Sequence, residues 1–341
     1  MTHRSRVKAV AGGGVLLAAF LTVLLLPGFV SDFRASELAY VAIYAIAILG
    51  LSIVTGFSGQ ISLGHGAFMA IGGYTTAILV ADHGVTDLWT IPVAGVVSGV
   101  AGLLLGVPAL RLTGLHLALA TFAIAVAFPS VLKKAEGVTG GSQGINLFGV
   151  EGLTGAIAGV DVFGRHLTFN EWLYYLSWSI FAVLGVSAWL LLRGRTGRAL
   201  RAVRDSHVAA TSVGINPAAY KTAAFGLSAF YAGVAGSLFA IATSFVNPAT
   251  FPVALSLTLL VGAVVGGLGS LWGVIAGAVF VQFLPIWIGK LPEIEALPAS
   301  VREIANEPGI PSVAYGAAVI LVLLLLPGGA AGVVRKLRTG L

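Results

Sequence analysis

The chain has 341 residues, of which 57% are hydrophobic and 9% charged, with a mean hydropathy of +0.99. A soluble domain carries roughly 25% charge, so this composition excludes a water-covered globule and predicts an all-α polytopic membrane protein of about ten transmembrane helices. The net charge of +6 and pI near 9.7 do not point to nucleic acid, since no basic, aromatic-interleaved soluble face exists to carry it, and a chain without cysteine has no disulfide, thiolate metal site or cysteine nucleophile.

The apolar runs last roughly 20 residues, the length a helix needs to cross the hydrocarbon core; a barrel would show alternating segments of about 10. In chain order the runs predict spans at 9–30, 38–56, 60–81, 90–110, 115–132, 171–192, 222–243, 253–267, 270–289 and 311–328. The first follows Arg4, Arg6 and Lys8 and resembles a signal peptide. Its run is long, however, and Pro27-Gly28 is not a small-x-small cleavage site, so it reads as a retained span. The eighth is short and its neighbours are rich in glycine.

Lysine and arginine give a direction. With the N-terminus inside and the spans alternating, the inner segments collect Arg4, Arg6, Lys8, Arg111, Arg193, Arg195, Arg198, Arg201, Arg204, Lys221, Arg335, Lys336 and Arg338. The outer segments hold Arg34, Lys133, Lys134, Arg165, Lys290 and Arg302. This asymmetry places both termini in the cytoplasm. Asp205 is the one inner carboxylate. Two outer loops are long: 133–170, with Thr139-Gly140-Gly141-Ser142-Gln143-Gly144, and 290–310, with Pro292, Pro298 and Pro308. They read equally as covers over the outer mouth of a pathway and as connectors.

Between spans 2 and 3, Gly56-Phe57-Ser58-Gly59-Gln60-Ile61-Ser62-Leu63-Gly64-His65-Gly66-Ala67 mixes small and polar residues. Small residues let helices approach closely, and polar groups in lipid need partners. Two readings stand. In one, the segment is a reversal that lines or gates a pathway, with Ser58, Gln60, Ser62 and His65 as the residues concerned. In the other it is a tight helix contact whose serines bond back to the backbone. Gly56-Phe57-Ser58-Gly59 also resembles the serine motif of rhomboid-type intramembrane proteases, but nothing around His116 supports it as the base such chemistry needs. The nucleophile-elbow pattern fails because Gln60 stands where a second glycine is required. His65 has no acidic partner in the expected membrane core, which argues against a proton relay.

The inner loop 193–221 follows span 6. Thr196 is a candidate cap for a first short helix, on which Arg198, Arg201 and Arg204 recur every third residue, near one face. Asp205 and Ser206 are candidate caps for a second short helix, Val208 to Val213. Gly214 would end it in the left-handed conformation, with Pro217 as a stop. Orientation signals and headgroup contacts would account for the arginines but not for this Ala, Gly and Pro punctuation.

Here the chain resembles the permease subunits of ABC importers, whose cytoplasmic motif is Glu-Ala-Ala, three residues, then Gly. Ala209-Ala210-Thr211-Ser212-Val213-Gly214 fits, with Val208 in place of the Glu. More specifically, the chain is similar to the branched-chain amino acid permeases of the LivH/LivM type, nearer LivM. Five stretches carry the likeness: Gly56 to Tyr74; Arg111-Leu112-Thr113-Gly114-Leu115; Thr139 to Ile145; Gly197 to Gly236, including Tyr220-Lys221 and the Ser228, Gly233 and Gly236 face of span 7; and Gly266-Gly267-Leu268-Gly269-Ser270-Leu271-Trp272-Gly273.

The resemblance implies one transmembrane permease domain over 1–341 in the cell inner membrane, forming half of a translocation pathway. It implies a coupling loop in which Arg204, Asp205, Ala209, Ala210 and Gly214 face the ATPase. It also implies the partners: two ATP-binding subunits, a second homologous permease and a periplasmic substrate-binding protein. The chain would be a transport subunit and not an enzyme, with ATP used by partners and no cofactor or metal of its own; no Gly-x-x-x-x-Gly-Lys-Ser/Thr is present. Branched-chain amino acids are the expected substrates, with urea, short-chain amides or other amino acids as alternatives within the class. An ion-coupled secondary transporter is the alternative from another class, disfavoured because the acids fall in expected loops rather than spans.

Overall fold

A computed structural model describes residues 31–109, 112, 114–149, 161–162, 165–293, 307, 309–326 and 328–333. The expected span at 9–30 lies outside the described residues, as do most of the 290–310 loop and part of the 133–170 loop.

Each of the other nine expected spans is a helix. They are α1 (Asp32–Leu51), α2 (His65–His83), α3 (Asp87–Ala109), α4 (Leu115–Lys134), α5 (Phe169–Arg193), then after two short helices α6 (Arg195–Asp205) and α7 (His207–Ser212), the long α8 (Pro217–Thr243), α9 (Val253–Gly266), α10 (Gly273–Gly289) and α11 (Ile310–Leu325). Among the described residues seven helices are long and apolar enough to cross a membrane, α10 is a shorter apolar helix, and α2 is not among the seven. Helices satisfy every backbone group within the segment, which lipid demands.

The helices are wrapped around two of their number. α1 and α8 are buried along most of their length, whereas few residues of α5 and α11 are fully buried. The outward residues are apolar, for example Val183, Val186 and Leu190 on α5 and Ile320, Leu321 and Leu324 on α11, as a lipid-facing surface requires.

Glycine sets the spacing at the centre. A Cβ added to Gly236 of α8 would lie 1.9 Å from the Met69 carbonyl oxygen of α2, and α8 also packs along α3, where a Cβ on Gly233 would lie 2.4 Å from Ser98 Oγ. The α8 glycines expected to form a packing face therefore do so by backbone approach. Polar pairs lock the same contact: the Thr76 and Ser237 hydroxyls lie 2.6 Å apart and Ser98 Oγ donates to the Phe68 carbonyl at 3.2 Å. The sequence has two clusters of glycine, 56–66 and 262–273, and the second closes the α9–α10 hairpin, where Cβ atoms at Gly273 and Gly277 would lie 1.9 and 2.0 Å from the carbonyl oxygens of Gly266 and Gly262.

Connections sort to two ends. At one, the two-residue strands Ile145–Asn146 and Phe245–Val246 pair antiparallel, and Asp32 accepts from Thr168 and Asn170. At the other lie 52–60, 193–216 and 267–272. Several acids expected in loops stand instead in terminal helical turns. Glu37 is buried on α1 beside Arg34 at 3.6 Å, Asp87 opens α3, and Glu171 completes a capping box with Thr168 at the start of α5.

Candidate functional site

The site is built where α1 ends. After Leu51 the helix widens into a π-helical turn, Ser52–Phe57. Ser58 N–H donates to the Ile53 carbonyl five residues back at 3.2 Å, and Ser58 Oγ donates to the Val54 carbonyl at 2.8 Å. Such turns are rare and occur frequently at functional positions. The chain then reverses through Gly59, at φ +73°, a conformation that glycine adopts at no steric cost, and enters α2 at His65.

Four candidate pathway residues are buried here: Ser58, Gln60, Ser62 and His65 are each at most 6% exposed. They separate into two groups. Gln60 Nε2 donates to Ser58 Oγ at 2.7 Å and to the Lys221 carbonyl of α8 at 3.2 Å, so Ser58 and Gln60 form one polar group at the reversal. His65 lies deeper, with Nε2 2.9 Å from the Ala47 carbonyl of α1, which places a proton on that nitrogen. The backbone between them is pinned by distant hydroxyls: Leu63 N–H donates to Thr121 Oγ1 and Gly66 N–H to Ser256 Oγ, both at 2.9 Å. Ser58 thus bonds back to the backbone as the helix-contact reading expects, while the reversal also touches α4, α8 and α9.

The loop 193–216 folds directly beneath. Gly197 permits α6 to turn tightly off α5, since a Cβ there would lie 1.9 Å from the Leu192 carbonyl oxygen. The cap of α6 is not Thr196: the helix begins two residues earlier than that cap would start it, at Arg195, with Gly194 at the N-cap and no side-chain cap bond. α6 is strongly amphipathic, burying Gly197, Ala199, Leu200 and Val203 against the bundle. The second helix also starts earlier than expected, at His207, and Ser206 rather than Asp205 caps it, through Ala209 N–H at 3.3 Å. Gly214 stands at φ +79°, and Ile215 N–H returns to the Ala210 carbonyl at 3.0 Å, the C-terminal closure expected of a left-handed glycine. Pro217 does not merely stop a helix; it opens α8 behind Asn216, whose side chain caps Ala218 and Ala219.

The expected coupling residues divide as well. Arg204 Nη1 donates to the Gly56 carbonyl at 2.8 Å, and its Nε pairs with Asp205 at 3.0 Å. Exposed pairs such as the latter contribute little. The bond to Gly56 meets one of the last carbonyls of α1 and its π-turn, where the negative end of the helix dipole favours a cation. Gly59 presses on the same side chain: a Cβ there would lie 2.7 Å from Arg204 Cγ. Gly56 in turn rests on the α9–α10 turn, a Cβ on it falling 2.3 Å from Gly269 N. On α7, Ala210 is buried while Ala209 and Gly214 are exposed, and Val208 and Val213 are 78% and 74% exposed. Sequence reasoning missed Thr121, Ser256 and the Lys221 carbonyl as partners of the reversal, and the contact between the two glycine clusters.

Among the described residues no group of three His, Asp or Glu converges as a metal site. An apolar groove of about 390 Å³, lined by residues such as Ile91, Pro92, Ile180 and Phe230, offers almost nothing polar to orient a solute.

Comparison with known proteins gives a consistent result. Residues 34–327 match the family described as "Branched-chain amino acid transport system / permease component". The high-affinity branched-chain amino acid transport system permease protein LivM of Salmonella typhimurium is 37% identical over 296 residues, 80% of this chain and 68% of that protein. LivM of Escherichia coli is 36% identical with the same coverage. The permease protein LivH of Salmonella typhimurium is 25% identical over 297 residues, 85% of this chain and 91% of LivH. No solved structure matches.

Proposed function

The chain belongs to the family of branched-chain amino acid transport permease components, and on that premise we propose that it is a membrane-spanning subunit of an ATP-driven importer of branched-chain amino acids. It works with a second, homologous permease, two ATP-binding subunits and a periplasmic binding protein. Both termini and the 193–216 loop face the cytoplasm, in keeping with the lysine and arginine distribution.

The observation that carries the mechanism is the Arg204–Gly56 hydrogen bond. A loop below the bundle holds the last turn of the central helix α1, which leads into the Ser58–Gln60 reversal. A nucleotide-driven displacement of α6 and α7 by the ATP-binding subunits therefore acts on the reversal directly through Arg204, and through α8 by way of the Gln60 amide on the Lys221 carbonyl. Val208 and Val213 give those subunits an apolar surface to cover. Coupling of this kind requires the two access states to differ in their contacts with the partners, and Arg204 is the side chain of the loop that reaches the π-turn.

The test is uptake of labelled leucine, isoleucine and valine by the assembled system in proteoliposomes. Uptake should require internal or external ATP on the side of the ATP-binding subunits and persist when the proton gradient is dissipated. Uptake that continues without ATP and collapses with the gradient would make the chain a secondary transporter.

A further inference from the structure

Beside the reversal, on the same end of the bundle, a cavity of about 540 Å³ opens between the end of α5, α6, the 267–272 turn and the segment 328–332. Its wall carries Trp189, Arg193, Arg201, Leu268, Ser270 and Trp272. The import mechanism gives it no role, and its lining is mixed in a particular way. Two arginines and two tryptophans share the lining, the indoles 43% and 69% exposed. Arg193 lies over the Trp189 ring, 4.9 Å from its centroid, which leaves the edge of the guanidinium free to donate. Among the described residues Arg201 is held by a long contact of 3.4 Å to the Leu192 carbonyl. Neither arginine pairs with a carboxylate among the described residues. On the face that the orientation makes cytoplasmic, the one carboxylate, Asp205, is engaged by Arg204.

We propose that this cavity holds the phosphate of an anionic phospholipid from the cytoplasmic leaflet. Tryptophans belong at the headgroup level of a bilayer, where an apolar ring meets water. Basic pockets between transmembrane helices on the cytoplasmic side are suited to acidic headgroups. A planar guanidinium pair suits phosphate oxygens better than any point charge. The volume falls in the range of small-ligand sites, and the apolar flank of Leu268 and Trp272 continues toward lipid. The cavity is lined by Phe57 of the π-turn and by Gly269, on which Gly56 rests, so an occupied cavity braces the turn that Arg204 also holds.

The inference rests on the orientation proposed above but not on transport, so it is tested on the full chain by lipid retention, which can fail while the import reading stands. The protein is purified from mixed phosphatidylglycerol and phosphatidylcholine nanodiscs, and retained lipid is read by native mass spectrometry. Arg193→Gln with Arg201→Gln should lower the retained anionic lipid by roughly tenfold or more. Arg195→Gln with Arg198→Gln, an equal loss of charge on the same loop outside the cavity, should leave it unchanged. Arg193→Lys with Arg201→Lys, which keeps the charge, should retain an intermediate amount. Equal loss in both glutamine pairs would reduce the effect to general surface charge and overturn the site. Unchanged lipid retention by the Arg193→Gln, Arg201→Gln protein, together with loss of inorganic phosphate binding, would overturn the lipid assignment in favour of a free anion.

Discussion

Gly72 of α2 and Gly233 of α8 meet backbone to backbone: a Cβ on Gly72 would fall 2.1 Å from the Gly233 carbonyl oxygen. No side chain fits between the two helices at this crossing. Gly72→Ala should therefore push α2 off α8 and break the neighbouring Thr76–Ser237 pair. Overpacking of this kind costs about 1–3 kcal/mol. A lower Tm in detergent, with the protein still inserted, is the expected result; an unchanged Tm would show that the helices separate readily.

Arg204→Ala removes the donor to Gly56 and leaves its carbonyl at the end of α1 without that partner. Because Arg204 is 40% exposed, water replaces part of what is lost and stability should change by less than about 1 kcal/mol. Coupling should suffer far more than folding. Substrate-stimulated ATP hydrolysis by the assembled complex is expected to fall several-fold while membrane yield and Tm hold. Equal losses in both would make the contact merely structural.

Gly214→Val isolates backbone strain. A Cβ at this position meets nothing within 4 Å, yet the residue sits at φ +79°. The left-handed conformation should cost roughly 1–2 kcal/mol, loosening the end of α7. The expected readout is weaker stimulation of ATPase activity with normal insertion. Full stimulation would remove α7 from the coupling path.

Ser256→Ala deletes the acceptor of the Gly66 N–H in the buried first turn of α2. A buried donor left without a partner costs about 1–3 kcal/mol. Thermal unfolding should shift accordingly, and Ser256→Thr, which keeps the hydroxyl, should restore most of the loss if its methyl is accommodated.

The span pattern was legible because hydrophobic length is a local property. Helices stand at each expected span from 38–56 onward, and even the left-handed turn at Gly214 could be read from Ala-Ala, Gly and Pro spacing. Thr196 reads as the cap of α6 because its hydroxyl can accept from a first-turn N–H, although glycine serves about as well at that position. At Gly194 the tight departure from α5, which needs Gly197 against Leu192, decides where the helix begins. The partners of the reversal were illegible for a different reason. Arg204 and Gly56 are 148 residues apart, as Gly66 and Ser256 are 190 apart, and no periodicity links such positions. Both glycine clusters were visible, but nothing in their order announces that Gly56 rests on Gly269.

Thr76 and Ser237 are separated by 161 residues, and that separation is also an interval of time. A ribosome adding about 5–20 residues per second needs on the order of ten seconds or more to pass from one to the other. During that interval α2 exists without α8, yet α2 is not among the helices apolar enough to cross a membrane unaided. Ser98 of α3 already reaches the Phe68 carbonyl of α2, but only α8 supplies the close glycine surface and the second hydroxyl, so we expect α2 to settle in the bilayer once α8 has emerged. A nascent chain arrested before residue 217 should leave α2 accessible to water-borne reagents, and one arrested after residue 243 should not.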